Sequence, residues 1–318
     1  MLRLMKIDRN TKPLAGVTVP DAERLAHEEP TTTLALVDAD GKAQAAASLW
    51  LDTPKSPDGA PSAFIGHVAG TTPAHTAQVL SALTEEAAAA GRKRVLAPID
   101  GSTWRSYRVV VESTGRPPFF LEPQTPEGWE AHFTAAGFSR GEMYASLELD
   151  DLRPFADPDQ YGAELAAAGI KVRDFDMQRF DDDLIHLHAL SLSAFAANPY
   201  YAPLPFEEFA PMYRPAVFLY EPGLALIAER AGEALGFIFA YRDGPEKSCT
   251  VLKTIAVSPN VRETGLASHL TRAVLRRAGE LGCKSAVFAL MHERNKSFAW
   301  AARHGRVFRR YALMARDL

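Results

Sequence analysis

The residues whose types and spacing are best suited to binding a ligand lie in the stretch "SPNVRETGLASHL", Ser258 to Leu270. This stretch lies between an apolar run and a run with helical spacing. A strand that passes through a glycine-containing loop into a helix leaves several backbone N–H groups directed at one spot, where the helix dipole is positive. Gly265 permits close approach of a ligand, Ala267 keeps the next turn narrow, and Arg262 supplies a permanent positive charge. The turn therefore predicts an anion site suited to a diphosphate, with an ordinary strand-to-helix turn as the alternative.

The elements that would position this turn occur twice along the chain. The first half contains the hairpin-like run "TTLALVDADGKAQAAASLWLD", and the second half contains "GLALIAERAGEALGFIFAYRD". In each half a further strand, a helix that ends at Gly91 or Gly282, and another strand follow in the same order. This order predicts an α+β fold of two similar units, each a mixed, mostly antiparallel sheet flanked by helices. The Asp- and Pro-rich run "LDDLRPFADPDQYG" separates them near residue 155, and the second unit begins with a strand at Ile170 to Asp176.

One segment does not fit either unit. The proline-dense run "PPFFLEPQTPEGW", residues 117–129, is predicted to be a surface excursion. An ordered insertion near the cleft of the first unit is the alternative.

Composition and charge limit the classes of partner. The 318 residues suffice for about two domains, and 47% hydrophobic with 23% charged residues is typical of a soluble globular protein. A net charge of −4 gives no reason to expect a nucleic acid or an anionic membrane. Two cysteines, no signal-peptide pattern and no membrane-length apolar run predict a cytoplasmic protein. The histidines of "DDDLIHLHAL" are two residues apart and do not share a helix face, so no metal site is expected.

The quoted turn resembles a known family signature. After a strand, "VSPNVRETGLA" is similar to the pattern Gln/Arg-x-x-Gly-x-Gly/Ala of the GNAT superfamily of N-acetyltransferases, with Arg262, Gly265 and Ala267 at its three positions. The resemblance covers residues 170–318, and the first half repeats the order of elements more loosely. It implies a tandem protein with a degenerate GNAT-like domain at residues 1–155 and an acyl-CoA-binding GNAT domain at residues 156–318.

The resemblance implies acetyl-CoA as the acyl donor, with its pyrophosphate on the amides of the turn and its pantetheine arm along the preceding strand. The cofactor-binding residues implied in this way are Ile255, Ala256, Val257, Arg262, Glu263, Thr264, Gly265, Leu266, Ala267, Ser268, Asn295 and Ser297. The first half offers "TTPAHTAQVL" at the equivalent place, with no glycine after Pro73 and no arginine. We therefore expect one acyl-CoA site, in the second half only.

Catalytic groups are less clearly indicated. Lys253 is the only ionisable residue on "TVLKTIAV", where the family often has a glutamate, and a solvated or edge-strand role is expected for it. His292 and Glu293 follow the strand "SAVFALM" at the end where open α/β sheets bind ligands. His292 is a candidate base, with a capping or surface histidine as the alternative. Tyr311 is the phenol nearest in sequence to the family's acidic tyrosine, although its position does not match.

The acceptor site is expected ahead of the second hairpin, in the largely helical region "FDDDLIHLHALSLSAFAANPYYAPLPFEEFAPMY". Tyr200, Tyr201 and Glu207 could hold an amine with an apolar body. Alternatively, the aromatic residues belong to the core and the glutamate begins a helix.

The sequence therefore predicts an acetyl-CoA-dependent N-acetyltransferase that acts on an amine of a small molecule or peptide. An aminoacyl or longer-chain acyl transferase and a non-catalytic acyl-CoA sensor remain alternatives. The acceptor and the oligomeric state are left open.

Overall fold

This computed structural model describes residues 1–244 and 247–318, and for Arg262 and Glu263 it describes the main chain only. The α-helices are α1 Ala22–Glu28, α2 Pro73–Ala89, α3 Glu130–Thr134, α4 Tyr161–Ala167, α5 Phe180–Phe195, α6 Phe206–Tyr213, α7 Leu266–Glu280 and α8 Lys296–Ala301. The strands are β1 Arg3–Ile7, β2 Thr32–Val37, β3 Ala43–Trp50, β4 Ser62–Gly70, β5 Arg94–Ala97, β6 Val109–Ser113, β7 Ser139–Leu149, β8 Lys171–Asp174, β9 Ala225–Arg230, β10 Glu233–Asp243, β11 Cys249–Val257, β12 Ser285–His292 and β13 Arg306–Asp317. Short 3₁₀ turns lie at Arg153–Phe155, Met177–Arg179, Arg214–Leu219 and Pro259–Thr264.

The repeat predicted from the sequence is confirmed. In the first half the hairpin β2–β3 is followed by antiparallel β4, helix α2 and then β5, which is parallel to β4. In the second half β9–β10, β11, α7 and β12 have the same order and the same pairings. Each long helix ends before a left-handed glycine, Gly91 with φ of 76° and Gly282 with φ of 91°. The fold is α+β, with a mixed sheet flanked by helices.

The last strands of the two halves are exchanged at the centre of the molecule. The strand order is β1-β2-β3-β4-β5-β13-β7-β12-β11-β10-β9-β8, and β6 pairs with β13. Strand β13 of the second half therefore lies beside β5 of the first, and β7 of the first lies beside β12 of the second. The described strands form one continuous sheet, so neither half completes its sheet without the other.

Helices cover the two faces of the second half's sheet. The apolar side of α7 packs on one face, where Leu266, Leu270 and Val274 are fully buried. Leu187 of α5 packs on the other face against Phe237 of β10. Since neighbouring residues of a strand point to opposite faces, α5 and α7 enclose β10 and β11 between them. Burial of each large apolar side chain contributes about 1.5–3 kcal/mol.

Two local expectations need correction. The expected strand Ile170–Asp176 is shorter, at Lys171–Asp174. Residues 117–129 are not simply a surface excursion, because Phe119 is only 2% exposed and packs in a cluster with Tyr241 and Val251 of the second half. Within the described residues, no helix has the length and apolar character to cross a membrane. Nor do those residues contain a cluster of groups that could hold a metal ion.

Candidate functional site

Strands β11 and β12 separate partway along their length. They pair in parallel over four residue pairs that end at Leu252 and Phe288. Beyond that point β11 continues along β10, while β12 follows β7 with a shift of register. Leu290, within this shift, has φ of 57°. We call the opening between the two strands the C-terminal fork, and the predicted pantetheine-binding residues Ile255–Val257 border it.

The equivalent opening of the first half, called the N-terminal fork, is filled by the chain itself. The N–H of Ile99 donates to the carbonyl of Ile65 at 2.9 Å. The Asp100 carboxylate accepts from the N–H of His67 at 2.7 Å. A Cβ on Gly66 would lie 2.3 Å from the Ile99 carbonyl oxygen. The main chain that follows β5 thus occupies the space that stays open beside β11.

Charged and polar side chains, some buried and some half-buried, hold this closure in place. Arg24 donates to both Asp100 and Glu28, at 2.8 and 3.0 Å. The His67 ring bridges Glu28 at 2.6 Å and Ser48 at 2.9 Å. Burial alone would raise the pKa of Glu28, but hydrogen bonds from His67 and Arg24 outweigh it and lower this pKa to about 2. The N-terminal fork is therefore closed by a charged network.

The predicted anion turn lies beside the C-terminal fork, at the start of α7. Gly265 has φ of 77°, a left-handed conformation that glycine adopts without strain. A Cβ there would lie 2.4 Å from the ring of Tyr161, so this close packing also requires glycine. Ala267 is exposed in the first turn of α7. The side chains of Arg262 and Glu263, which the resemblance assigns to the diphosphate, lie outside the described residues.

The other residues predicted at this turn divide between core and surface. Leu266 is fully buried, so only its main chain can face a ligand. Thr264 is exposed, and its hydroxyl donates to the Val261 carbonyl at 2.7 Å. Ser268 is half-buried and lines a pocket of about 330 Å³, together with Pro158, Asp159, Gln160, Tyr161, Arg272 and Trp300.

This pocket has groups that suit a phosphorylated nucleotide. Ser268 and Arg272 are four residues apart on α7 and so share a helix face, which supplies a hydroxyl and a cation. The rings of Tyr161 and Trp300 can pack against a base. Asp159, the one carboxylate among the described lining residues, lies 2.9 Å from the His269 ring. The sequence could have indicated Arg272 through its spacing from Ser268, but Tyr161 and Trp300 come from distant segments.

Asn295 and Ser297 lie at the start of α8, directly after β12. Asn295 is exposed at the N-cap position and makes no capping hydrogen bond with its side chain. Ser297 is half-buried in the first turn of the helix. Both lie on the segment that leaves the C-terminal fork on the β12 side, and their predicted contact with the donor stays a prediction.

His292 lies at the end of β12, but both of its ring nitrogens are engaged. Nε2 is 2.8 Å from a carboxylate oxygen of Glu142, and Nδ1 accepts from the N–H of Arg294 at 3.1 Å. Glu293 binds Arg310 at 2.9 Å. These contacts hold β12 against β7 and β13. They leave neither imidazole nitrogen directed at an acceptor amine.

Tyr311 is fully buried in β13. Its hydroxyl bonds to the carboxylate of Glu122 and lies 3.1 Å from the Ser146 hydroxyl. Glu122 in turn accepts from Arg309 at 2.5 Å. Burial, with the negative charge of Glu122 adding to it, raises the pKa of Tyr311 above its ordinary value. The phenol is thus protonated at neutral pH and committed to a buried network.

The face of the sheet covered by α5 and α6 contains an apolar cavity of about 70 Å³. Its lining is almost entirely hydrocarbon and includes Phe175, Met177, Leu184, Tyr213, Phe237 and Phe239. No charged side chain borders it among the described residues. Such a cavity suits the apolar part of a ligand rather than an ammonium group.

The three predicted acceptor residues have different environments. Tyr200 is only 4% exposed and its ring contacts Phe64 of the first half, which makes it a core residue. Tyr201 is half-buried, and its hydroxyl is buried with no hydrogen-bond partner among the described residues. Glu207 is exposed in the first turn of α6. Tyr201 is therefore the one of the three with a buried polar atom that lacks a hydrogen bond within the described residues, a feature that buried hydroxyls rarely show without a ligand or water.

Residues 117–122 cross from the first half to the second half's sheet. Tyr241 donates to the Phe120 carbonyl, and Lys253 donates to the Leu121 carbonyl at 3.4 Å. Since β11 lies between β10 and β12, Lys253 is not on an edge strand, and it is half-buried rather than solvated. The sequence expectation for Lys253 was wrong because the covering segment comes from the other half of the chain.

Comparison with known proteins agrees with this geometry. Residues 185–305 match the family model of the acetyltransferase (GNAT) family. Comparison with curated proteins finds no match.

Three solved structures illustrate the likeness of the fold. A conserved protein of unknown function from Enterococcus faecalis V583, a probable N-acyltransferase, has a TM-score of 0.60 and 10% identity over 100% of this chain and 73% of its own. A GCN5-related N-acetyltransferase from Anabaena variabilis has a TM-score of 0.52 and 8% identity over 94% of this chain and 66% of its own. The GCN5-related glucosamine N-acetyltransferase region of a fungal multi-domain GH3 β-N-acetylglucosaminidase has a TM-score of 0.51 and 12% identity over 90% of this chain. This chain spans 33% of that fungal protein. At these identities the likeness establishes the fold alone.

Proposed function

Because residues 185–305 match the model of the GNAT acetyltransferase family, we propose that the chain is an N-acyltransferase that transfers an acetyl group from acetyl-CoA to an amine of a small molecule or peptide. One observation carries the proposal. The C-terminal fork is open beside the N-terminus of α7, whereas the N-terminal fork is filled by Ile99 and Asp100. The acyl donor accordingly binds the second half only.

The donor's parts match groups around the C-terminal fork. The diphosphate binds the main-chain amides at the start of α7, which lie at the positive end of the helix dipole. The nucleotide end takes the pocket with Ser268, Arg272 and Trp300. The pantetheine arm pairs with main-chain groups of Ile255–Val257, which border the fork without a partner strand on that side in the described residues.

The acceptor approaches from the face covered by α5 and α6. Its apolar body takes the cavity lined by Phe237 and Tyr213. Tyr201 does not line that cavity, so its contact with the acceptor stays a prediction from the sequence. This arrangement favours an amine that carries an aliphatic or aromatic group. Tyr200 and Glu207 are not needed for it, because one is a core residue and the other is exposed.

The proposed chemistry places few demands on side chains. A main-chain N–H of β11 near Ala256 stabilises negative charge on the carbonyl oxygen of the acyl group. Water carries away the proton of the acceptor amine, since His292 and Glu293 are held by Glu142 and Arg310. Binding at the fork also orients the acceptor nitrogen toward the acyl carbon, which lowers the entropic part of the barrier.

A thiol-release assay tests the proposal. The full chain is incubated with acetyl-CoA and a panel of aliphatic, aromatic and peptide amines, and free CoA thiol is measured together with product mass. We expect acetylated product with at least one amine bearing an apolar group. Release only with aminoacyl or long-chain donors would favour an acyl transferase of those kinds. Tight acetyl-CoA binding without product from any amine would favour a sensor.

A further inference from the structure

Lys253 occupies an unusual place in β11. It directly follows Leu252, the last residue of β11 that pairs with β12. On the other side of the strand, β10 pairs Phe239 with Thr254 and Ala240 with Leu252, so Lys253 is the extra residue of a β-bulge. A bulge redirects a side chain out of the regular pleat. The strand geometry thus sets this ammonium group at the point where the C-terminal fork opens.

A segment of the first half covers Lys253. Its Nζ donates to the Leu121 carbonyl at 3.4 Å, and Leu121 has φ of 64°. Phe119, two residues earlier, is buried against Val251 on the same strand. The half-buried ammonium group is therefore bonded to a segment that comes from the other half.

Two charged groups face Lys253 within the described chain, Arg108 from the first half and Glu122 from the covering segment. Glu122 is already bonded to Arg309 and Tyr311, so it is not free to pair with the lysine. Arg108 donates to the Leu290 carbonyl on the opposite side of the fork, at 3.1 Å. The surroundings of the fork are consequently positive.

This environment makes Lys253 a ready proton donor. Burial, and then the charge of Arg108, lower the pKa of Lys253 to about 8, while Glu122 acts in the opposite direction. At pH 7 the Lys253 side chain is protonated in most copies of the protein, yet it releases this proton far more easily than an ordinary lysine does. A thiol has a pKa of about 8.5, so transfer of this proton to a thiolate is nearly balanced in energy. The positive surroundings attract a thiolate and repel an ammonium acceptor, which argues against a role as base.

We propose that Lys253 is the general acid that protonates the departing thiolate of acyl-CoA, an assignment that rests on the proposed function. The acceptor nitrogen forms a bond to the acyl carbon, and the C–S bond breaks with its electron pair going to sulfur. The Nζ proton passes to that sulfur and yields the CoA thiol. The proton lost by the acceptor nitrogen goes to water, and the neutral Nζ recovers a proton from water.

The variants Lys253→Met and Lys253→Arg test the proposal, with Lys284→Met as the control. Lys284 is exposed at the opposite end of the same strand pair. For the unaltered chain, kcat should fall above about pH 8 because the acid loses its proton. Lys253→Met should lower kcat about a hundredfold or more at pH 7 and abolish the fall above pH 8. Lys253→Arg should lose a similar factor, because arginine keeps the charge but cannot release a proton.

Three measurements besides turnover accompany these assays. Titration calorimetry should give an acetyl-CoA Kd within about threefold of the unaltered chain for all three variants, and thermal melting should show them folded. The rate at which acetic anhydride labels Lys253, followed by peptide mass spectrometry, should rise with a midpoint near pH 8.

The outcomes separate the two proposals. If the unaltered chain neither binds acetyl-CoA nor transfers its acetyl group, the proposed function fails. If it transfers the group but Lys253→Met keeps kcat within threefold, the proposed function stands and the acid assignment is overturned. Full activity of Lys253→Arg would also overturn it, as would an acetyl group found on Lys253 that passes on to the acceptor.

Discussion

The substitution Ala267→Asp separates anion binding from folding. Ala267 is exposed in the first turn of α7, next to the amides that we assign to the diphosphate. A carboxylate at that position interacts favourably with the helix dipole, which stabilises the helix by about 0.3–1 kcal/mol. The variant should therefore melt at the same temperature as the unaltered chain or slightly higher. Gly265 would be a poorer choice, because any Cβ there meets the ring of Tyr161.

The same carboxylate should repel the donor. A unit charge roughly 5 Å from a phosphate charge, at an effective dielectric constant of about 20, costs about 3 kcal/mol before screening by salt. Screening at physiological ionic strength reduces this to about 2 kcal/mol. Since each 1.4 kcal/mol is a factor of ten, the acetyl-CoA Kd should rise about 30-fold.

Calorimetric titration with acetyl-CoA measures this change, and Ala267→Asn is the matched control. Asparagine has nearly the shape of aspartate without its charge, so its Kd should stay within about threefold of the unaltered chain. The loss for Ala267→Asp should also shrink as salt is added. Equal losses of acetyl-CoA affinity for the two variants would show that the shape of the side chain, and not its charge, weakens binding. No loss for either would refute the placement of the diphosphate at α7.

Three further predictions follow from the buried network, the cavity and the closed fork. Tyr311→Phe should lower the melting temperature but lower kcat less than tenfold, because the lost hydroxyl donates a hydrogen bond to the buried carboxylate of Glu122. A loss of kcat of about a hundredfold would instead show that Tyr311 takes part in the reaction. Met177→Trp should fill the cavity and raise the acceptor KM without changing the acetyl-CoA Kd, and an unchanged KM would remove the cavity from the acceptor site. Glu28→Gln should lower the free energy of unfolding at pH 7 by about 3 kcal/mol, from the fall of the Glu28 pKa from 4.5 to about 2. A lowered carboxyl pKa stabilises the fold only at a pH where the carboxyl is ionised, so the difference in unfolding free energy should disappear as the pH falls from about 4.5 to about 2 in urea titrations. The control variant Glu29→Gln, at an exposed neighbouring residue, should show no such pH dependence.

The local plan of each half could be predicted because it depends on nearby residues. The alternation of apolar residues in β11, the helical spacing of α7 and the glycine that ends it lie within one short stretch. The sequence indicates Gly265 as a place where a ligand can approach closely, but a further reason for this glycine, the ring of Tyr161, comes from the linker between the halves. Pattern and turn chemistry thus identified the elements around the candidate site.

The contacts that decide the role of each catalytic candidate are long-range. His292 is bound by Glu142, 150 residues away, and Tyr311 by Glu122, 189 residues away. Neither partner follows a local period, and both become neighbours only through the exchange of β7 and β13. The missing glycine and arginine of the first half predicted a degenerate copy. Their absence does not predict that Asp100 fills the N-terminal fork, because this depends on where the chain turns after β5.

We propose that only the C-terminal fork accepts an acyl-CoA. Titration calorimetry of the full chain with acetyl-CoA tests it most directly, because the full chain keeps the exchanged strands that both halves need. We expect one site per chain, and the variant Ala267→Asp should weaken that site. Two equivalent sites per chain would contradict the closed N-terminal fork, and no binding at all would contradict the open C-terminal one.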